Sequence, residues 1–274
     1  MPRTGVFRIG ILLSLFLLLA ILFAAACQAS EGAVWPVSSG EKVLSNGKLV
    51  VDASHADQGY VMVKVSSQTK KRLKFRVAKD QSTLTYDLNS AGDYEVFPLQ
   101  LGSGSYTFSL YENVSGSKYS AEGKTSLSVQ LTSENAAYLV TNQYVNYLSD
   151  SVTVQKSDEL CAGKSASESY KIICDFMSSE FAYDFVRALN ITAGTLPEVD
   201  PCFEKRMGIC QDLSAVMVCM LRVQGIPAKL VIGYADKYYH AWTVTVVDGE
   251  EIFFDPTAAL NAIFAKSYSV ERMY

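Results

Sequence analysis

Seven short runs of alternating apolar and polar residues follow one another between Gly47 and Leu131: "KLVVDAS", "GYVMVKV", "RLKFRVA", "STLTYDL", "DYEVFPL", "GSYTFSLYENV" and "GKTSLSVQL". Gly, Asn, Asp and Ser separate them. Alternation with a period of two buries one face of a strand and wets the other, and short strands at this spacing are the signature of an antiparallel two-sheet stack. The expectation over residues 47–132 is therefore an all-β, immunoglobulin-like sandwich. Tyr106, in "LGSGSYTFSL", stands where a tyrosine corner would close a sandwich loop. Antibody-type hallmarks are missing, since no Trp lies in these strands and no cysteine pair crosses them.

The pattern changes after Leu131. Residues 133–163 have apolar residues at mixed spacing and read as a helical or irregular lead-in to a second domain spanning 133–274. A helix follows in "SASESYKIICDFMSSEFAYDFV", with Ser167 as its cap and Ile172, Ile173, Phe176, Met177, Phe181 and Phe185 as its apolar stripe. The stretch from Arg187 to Ile209 carries Gly, Pro and Thr and reads as a long loop, of the length that usually serves function. It leads to Cys210, where a second helix starts and runs to Val223; Gly225 ends it and Pro227 bars its return. Three strands come next, "AKLVIGY", "HAWTVTVV" and "EIFFD", the last two joined by the hairpin signal Asp248-Gly249.

The hairpin register carries the chemical argument. A two-residue loop at Asp248-Gly249 pairs Val247 with Glu250, and counting outward sets Asp255 opposite Trp242. His240 then lies on the same face as Trp242 and diagonal to Asp255, within reach of its carboxylate. A slip of one residue would turn Asp255 away. Cys210 sits at a helix start, where unpaired N–H groups and the helix dipole favour an anion. A nearby imidazole makes a thiolate a competent nucleophile, and a carboxylate on the far ring nitrogen fixes the tautomer. The N–H of Cys210 or Gln211 could also face a developing oxyanion, and Gly208 would let the chain turn tightly there. Singly, each residue has a plainer reading: Cys210 as a small buried residue, His240 as a packed ring, Asp255 as a turn residue before Pro256. Their joint order favours the nucleophilic reading.

These same segments, "GICQDLSAVMVCMLRVQGIPAKLVIGY", "YYHAWTVTVVDGEEIFFDPT" and "FAYD", resemble the bacterial transglutaminase-like domain over roughly Ser167 to Thr257. The resemblance implies an α+β, papain-like fold, with helices packed on an antiparallel sheet. Carried over by position, it implies Cys210 as nucleophile, His240 as general base and acid, and Asp255 as the residue orienting the ring. Tyr183, in "FAYD", matches a position the family retains near its cleft. Two departures stand out: Thr243 where the family commonly has Asn, and no Trp before Asp255.

The N-terminus has the layout of an export signal, with Arg3 and Arg8, an apolar run from Ile9 to Ala26, and small residues before Cys27. "AAAC" resembles a bacterial lipobox, which implies a lipidated Cys27 after a 1–27 signal peptide. Ordinary cleavage at the same residues remains open, as does a retained anchor, because the run reaches the span of about 18 apolar residues that crosses a bilayer. All three put the remainder outside the cytoplasmic membrane, on its outer face, with residues 28–46 as a mobile tether. The net charge of −4 and a longest basic run of "KKR" (70–72) give nucleic acid little reason to bind.

If Cys27 is lipidated, the remaining Cys161, Cys174, Cys202, Cys210 and Cys219 are odd in number, leaving at least one free thiol, and a Cys161–Cys202 disulfide is one possible pairing. No CxxC or HExxH spacing suggests a metal, and the proposed chemistry needs no cofactor. His55 reads as a surface loop residue. The sequence thus points to a cell-surface enzyme acting on amide bonds of a protein or peptide through a thioester, as hydrolase or crosslinking acyltransferase, with hydrolysis favoured. The alternative is a surface binding protein using the same fold as a scaffold.

Overall fold

The structure, a computed structural model, describes residues 32–192, 194–262 and 264–274. The export segment, Cys27 and the first residues of the expected tether lie outside the described residues.

Each of the seven alternating runs is a strand, and one more precedes them: β1 (Val43–Asn46), β2 (Leu49–Asp52), β3 (Tyr60–Val65), β4 (Leu73–Lys79), β5 (Ser82–Leu88), β6 (Glu95–Pro98), β7 (Gly104–Ser115) and β8 (Lys118–Val129). They form two four-stranded sheets, ordered β1-β2-β3-β6 and β5-β4-β7-β8, antiparallel throughout. In β4 the alternation is direct: Leu73, Phe75 and Val77 are buried while Arg76 faces solvent. Phe75 also meets Phe97 of the other sheet at 4.7 Å between ring centroids. Burying each such side chain contributes about 1.5–3 kcal/mol, and Phe75→Ala would cost about 3–5 kcal/mol. Tyr106 makes the expected corner: its Oη lies 2.7 Å from Gly102 O and accepts the Leu101 N–H at 3.1 Å.

The tether expectation requires correction over its described part. Val34 bridges to Val140, Trp35 packs edge-on against Tyr147, and residues 43–46 are β1. The reason lies in Asp52, a buried carboxylate that needs donors. Ser38 Oγ at 2.7 Å and Gly40 N at 2.8 Å supply them from the supposed tether.

The lead-in makes a short 3-10 turn at Ala136–Tyr138, an irregular stretch, and helix α1 (Val152–Cys161). Helix α2 (Ala166–Glu180) is capped by Ser165 rather than Ser167, in a capping box with Glu168. It buries Ser169, Ile173 and Met177 and stops at Phe181, so Phe185 belongs to no stripe on this helix. The end of the expected helix is instead strand β9 (Ala182–Tyr183) and the start of α3 (Phe185–Asn190), and the expected long loop holds the rest of α3, then α4 (Val199–Lys205) and β10 (Met207–Gly208), with β9 and β10 pairing in parallel. Phe185, on α3, is 65% exposed.

Helix α5 (Cys210–Val223) is buried on every side from Asp212 onward, as a helix apolar all round should be. Arg222 is the exception that its burial explains. The guanidinium donates to the carbonyls of Val140, Ala228 and Tyr274, tying the lead-in and the sheet to the helix end. The sheet against α5 is ordered β13-β12-β11-β14, from β11 (Ala228–Ala235), β12 (Tyr238–Val247), β13 (Glu250–Phe254) and β14 (Tyr268–Met273), with α6 (Pro256–Asn261) between the last two. Asp248 and Gly249 both have positive φ, 52° and 85°, as a type I′ turn requires. Val247 pairs with Glu250 and Thr243 with Phe254, so the register is the one the turn predicts.

The five described cysteines are all free, so no Cys161–Cys202 disulfide forms. Cys202 is buried against Gly208 instead: a Cβ on that glycine would stand 2.5 Å from the Cys202 sulfur. Close approach, not a special turn, is why residue 208 lacks a side chain. Among the described residues no helix is long and apolar enough to cross a membrane.

Candidate active site

The end of β13 delivers Asp255, and its surroundings leave the carboxylate little freedom. Oδ1 accepts the Ala258 N–H at 3.0 Å, making Asp255 the N-cap of α6, and Pro256 occupies the first helical position. Oδ2 lies 2.8 Å from His240 Nε2 and also accepts the Tyr268 hydroxyl at 2.8 Å. The side chain of Asp255 is 2% exposed and that of His240 14%. Burial alone would raise the carboxyl's pKa, but His240, the Ala258 N–H and Tyr268 outweigh it and hold it below the usual range. For His240, burial favours the neutral ring, yet Asp255 and the Cys210 thiol oppose that and lift the pKa to about 9.

Cys210, the first residue of α5, lies close enough to His240 for its thiol to favour the charged ring. The structure therefore gathers Cys210, His240 and Asp255 in one place. Each is delivered by a different element: a helix start, a central strand and the loop after an edge strand. Trp242 is buried beneath the pair, its ring near-parallel to His240 at 6.3 Å, and so screens it from the protein side. Thr243, the residue that departs from the family pattern, is buried, and its Oγ1 donates to Phe254 O at 3.0 Å. That bond pins the residue next to Asp255.

Two contributors, Tyr268 and Asp212, escaped sequence reasoning. Tyr268 comes from β14, whose residues are mostly exposed and so show no apolar alternation. Burial and the neighbouring Asp255 raise its phenol to about 12. Asp212, at the third position of α5, is buried and accepts the N–H groups of Ile209 and Glu198, both at 3.1 Å, and pairs with Arg187 Nε at 3.2 Å. It fixes the turn into Cys210 and the end of the preceding loop together. An acidic residue at the third position of a helix was the available signal.

Tyr183 stands half-buried beside the nucleophile position and edge-on to Phe185 at 4.9 Å. Its phenol is raised to about 12 by burial and by the Cys210 and Asp212 side chains, while a hydrogen bond from the Cys210 main chain acts the other way. His55, expected as a free surface residue, is half-buried and stacks on Tyr60. Cys174, Cys202 and Cys219 are each pushed up by burial, the first to about 11 and the second to about 12, and are poor nucleophiles.

A cavity of about 540 Å³ opens beside the pair, touching Tyr183, His240, Asp255 and Tyr268. A larger one, about 780 Å³, lies between the sandwich and the lead-in, against Trp35, Tyr94 and Asn142, and touches none of the three candidate residues. Among the described residues no cluster of His, Cys, Asp and Glu has the makings of a metal site.

With this geometry in view, comparison with known proteins gives the class. Residues 137–256 match the Transglutaminase-like superfamily, so the chain carries a transglutaminase-like domain that takes up less than half of its length. No curated protein matches the sequence. Among solved structures, a candidate cysteine protease from Cytophaga hutchinsonii is similar at 15% identity and TM-score 0.39, over 79% of this chain and 83% of that one. A candidate protease from Parabacteroides distasonis is similar at 12% identity and TM-score 0.33, over 68% of this chain and 37% of the other. The red sea bream transglutaminase is similar at 11% identity and TM-score 0.33, over 72% and 48%. The chain thus spans less than half the length of the last two.

Proposed function

We propose that the protein is an exported cysteine-nucleophile enzyme that acts on amide bonds of a protein or peptide. In this reading the Cys210 thiolate attacks the amide carbonyl, and His240 gives its proton to the departing amine, leaving a thioester on the sulfur. Water or a second amine then attacks the thioester, passes a proton to His240 and frees the thiol. Asp255 holds the imidazole in the tautomer both steps require. The observation that carries the reading is the buried His240–Asp255 pair at 2.8 Å, set beside a cysteine that begins a buried helix. The chemistry calls for no metal or cofactor. The N-terminal sheets, read as an immunoglobulin-like sandwich, would hold this domain off the outer face of the cytoplasmic membrane, anchored through a lipidated Cys27.

The test is the pH dependence of iodoacetamide alkylation in the full chain, followed cysteine by cysteine with peptide mass spectrometry, for the parent and for His240→Ala. Alkylation of Cys210 much faster than that of buried Cys219, and slowed at least about tenfold in the variant, is the expected result. Alkylation as slow as that of buried Cys219, and equal in both proteins, would end the enzymatic reading and leave the surface binding protein in its place.

A further inference from the structure

We infer that the cavity beside His240 is the subsite for the amine half of the substrate and takes an aromatic or large apolar residue; this rests on the thiol chemistry proposed above. The position of the cavity decides which half it receives. It touches His240, Asp255 and Tyr268 but not Cys210. The acyl carbon must sit on the Cys210 sulfur, whereas the amine nitrogen must sit at the imidazole that protonates it. Whatever that nitrogen carries therefore extends past His240 into this space. The second step runs through the same geometry in reverse, so an attacking amine enters where the first one left.

The walls decide the chemistry. Phe185, Tyr238 and Phe264 stand at the rim, 65%, 66% and 69% exposed, and Ala235, Ala258 and Tyr268 line the interior. Three large aromatic side chains exposed together at one rim make the kind of apolar patch that marks a binding site, and a cavity of about 540 Å³ has the size of a small-ligand site. Two carboxylates border it, and both are taken. Asp255 is committed to His240, Tyr268 and Ala258. Asp236 accepts the main-chain N–H groups of Lys266 and Ser267. Lys237 puts a positive charge beside Tyr238, its Nζ 5.3 Å from that ring's centroid. A lysine side chain would find the Tyr238 ring already shared with a like charge and both bordering carboxylates already hydrogen-bonded, which favours an uncharged aromatic or apolar residue over lysine.

The experiment needs no natural substrate. p-Nitrophenyl acetate is added to the full chain; the Cys210 sulfur bonds to the acetyl carbon, p-nitrophenolate leaves, and the acetylated peptide is identified by mass spectrometry. The acetyl-enzyme is then shared between water, giving acetate, and an added amine, giving an N-acetyl amide as the C–S bond breaks and the amine proton passes to His240. Glycinamide, phenylalaninamide and lysinamide are compared at equal free-amine concentration, with the amide-to-acetate ratio as readout. The expected ratio for phenylalaninamide is at least about tenfold that for glycinamide, with lysinamide no better than glycinamide. In the double variant Tyr238→Ala, Phe264→Ala the phenylalaninamide ratio falls toward that of glycinamide. Equal ratios for the three amines, or a preference for lysinamide, would overturn the subsite while leaving the nucleophile in place. Failure to acetylate Cys210 at all would instead overturn the thiol chemistry, and the inference with it.

Discussion

The N-terminal sandwich and the C-terminal sheet are built on the same alternation, yet they treat buried polar groups in opposite ways. In the sandwich, Tyr106 Oη ends on main-chain groups of its own corner, and Glu112 is closed off between Lys48 and Lys71. Neither arrangement leads anywhere. In the C-terminal sheet, Tyr268 ends on Asp255, Asp255 on His240, and His240 borders a cavity with Cys210 close by. The difference teaches how to tell scaffold from site in one molecule. A polar group that terminates on backbone stabilises a turn, whereas a chain of side chains ending at an open imidazole is arranged to move a proton.

Asp255→Asn breaks the comparison most severely. The amide keeps an oxygen to cap α6 at Ala258, so the fold should survive, but it presents the wrong partner to the ring. Acetylation of Cys210 by p-nitrophenyl acetate is expected to fall by about 10²–10⁴-fold, with the melting temperature little changed. The same pair predicts a pH dependence of stability. His240 is raised from 6.5 to about 9 on folding, so its contribution is complete below pH 6.5 and is lost as pH rises through about 9. Thermal melts of the parent should therefore show a decline across that window that His240→Ala lacks. A parent whose melting temperature in that window tracks the variant's would refute the charged-ring picture.

Tyr106→Phe should act on the other side of the comparison. Removing one hydroxyl strands the Leu101 N–H and the Gly102 carbonyl at a buried corner, costing about 1–3 kcal/mol, and the melting temperature should drop by about 2–4 °C per kcal/mol. Alkylation of Cys210 should be untouched at every pH. A change in its rate would mean that the sandwich and the site are coupled.

The sequence showed most clearly what repeats. The seven strands were legible because each buries one face, and the β12–β13 register followed from the φ > 0 demands of Asp248-Gly249 alone. The meeting of His240 and Asp255 was legible for the same reason, since it depends on a count of residues from a turn. What stayed hidden had no periodicity to read. Strand β14 is an edge with most side chains in water, so Tyr268 looked like any tail residue. Helices α3 and α4 are too short to show an apolar stripe, and the cap was set at Ser167 although Ser165 and Glu168 have the spacing of a capping box. The supposed tether was misread because its partner, the carboxylate of Asp52, lies within a strand whose burial only the assembled sheets produce.

The finest test of the comparison is Tyr268→Phe, the counterpart of Tyr106→Phe at the site. The ring keeps its edge-on contacts with Trp242 at 5.1 Å and Phe253 at 4.7 Å, so packing is preserved and only the donor to Asp255 Oδ2 is lost. Asp255 retains His240 and Ala258 as partners, and the Tyr268 side chain reaches the cavity, so water can take the place of the lost hydroxyl. The stability cost should be about 1 kcal/mol or less, smaller than at Tyr106. The effect belongs in the proton chemistry instead. With one donor gone, the carboxylate charge is less divided and its position less fixed, and the pH profile of Cys210 alkylation should shift with no more than about a fivefold change in rate. A positioning residue moves that profile and leaves the melt nearly alone, whereas a packing residue does the reverse. Tyr268→Phe that lowered the melting temperature as far as Tyr106→Phe, with an unmoved pH profile, would return Tyr268 to the scaffold and shorten the chain of side chains to two.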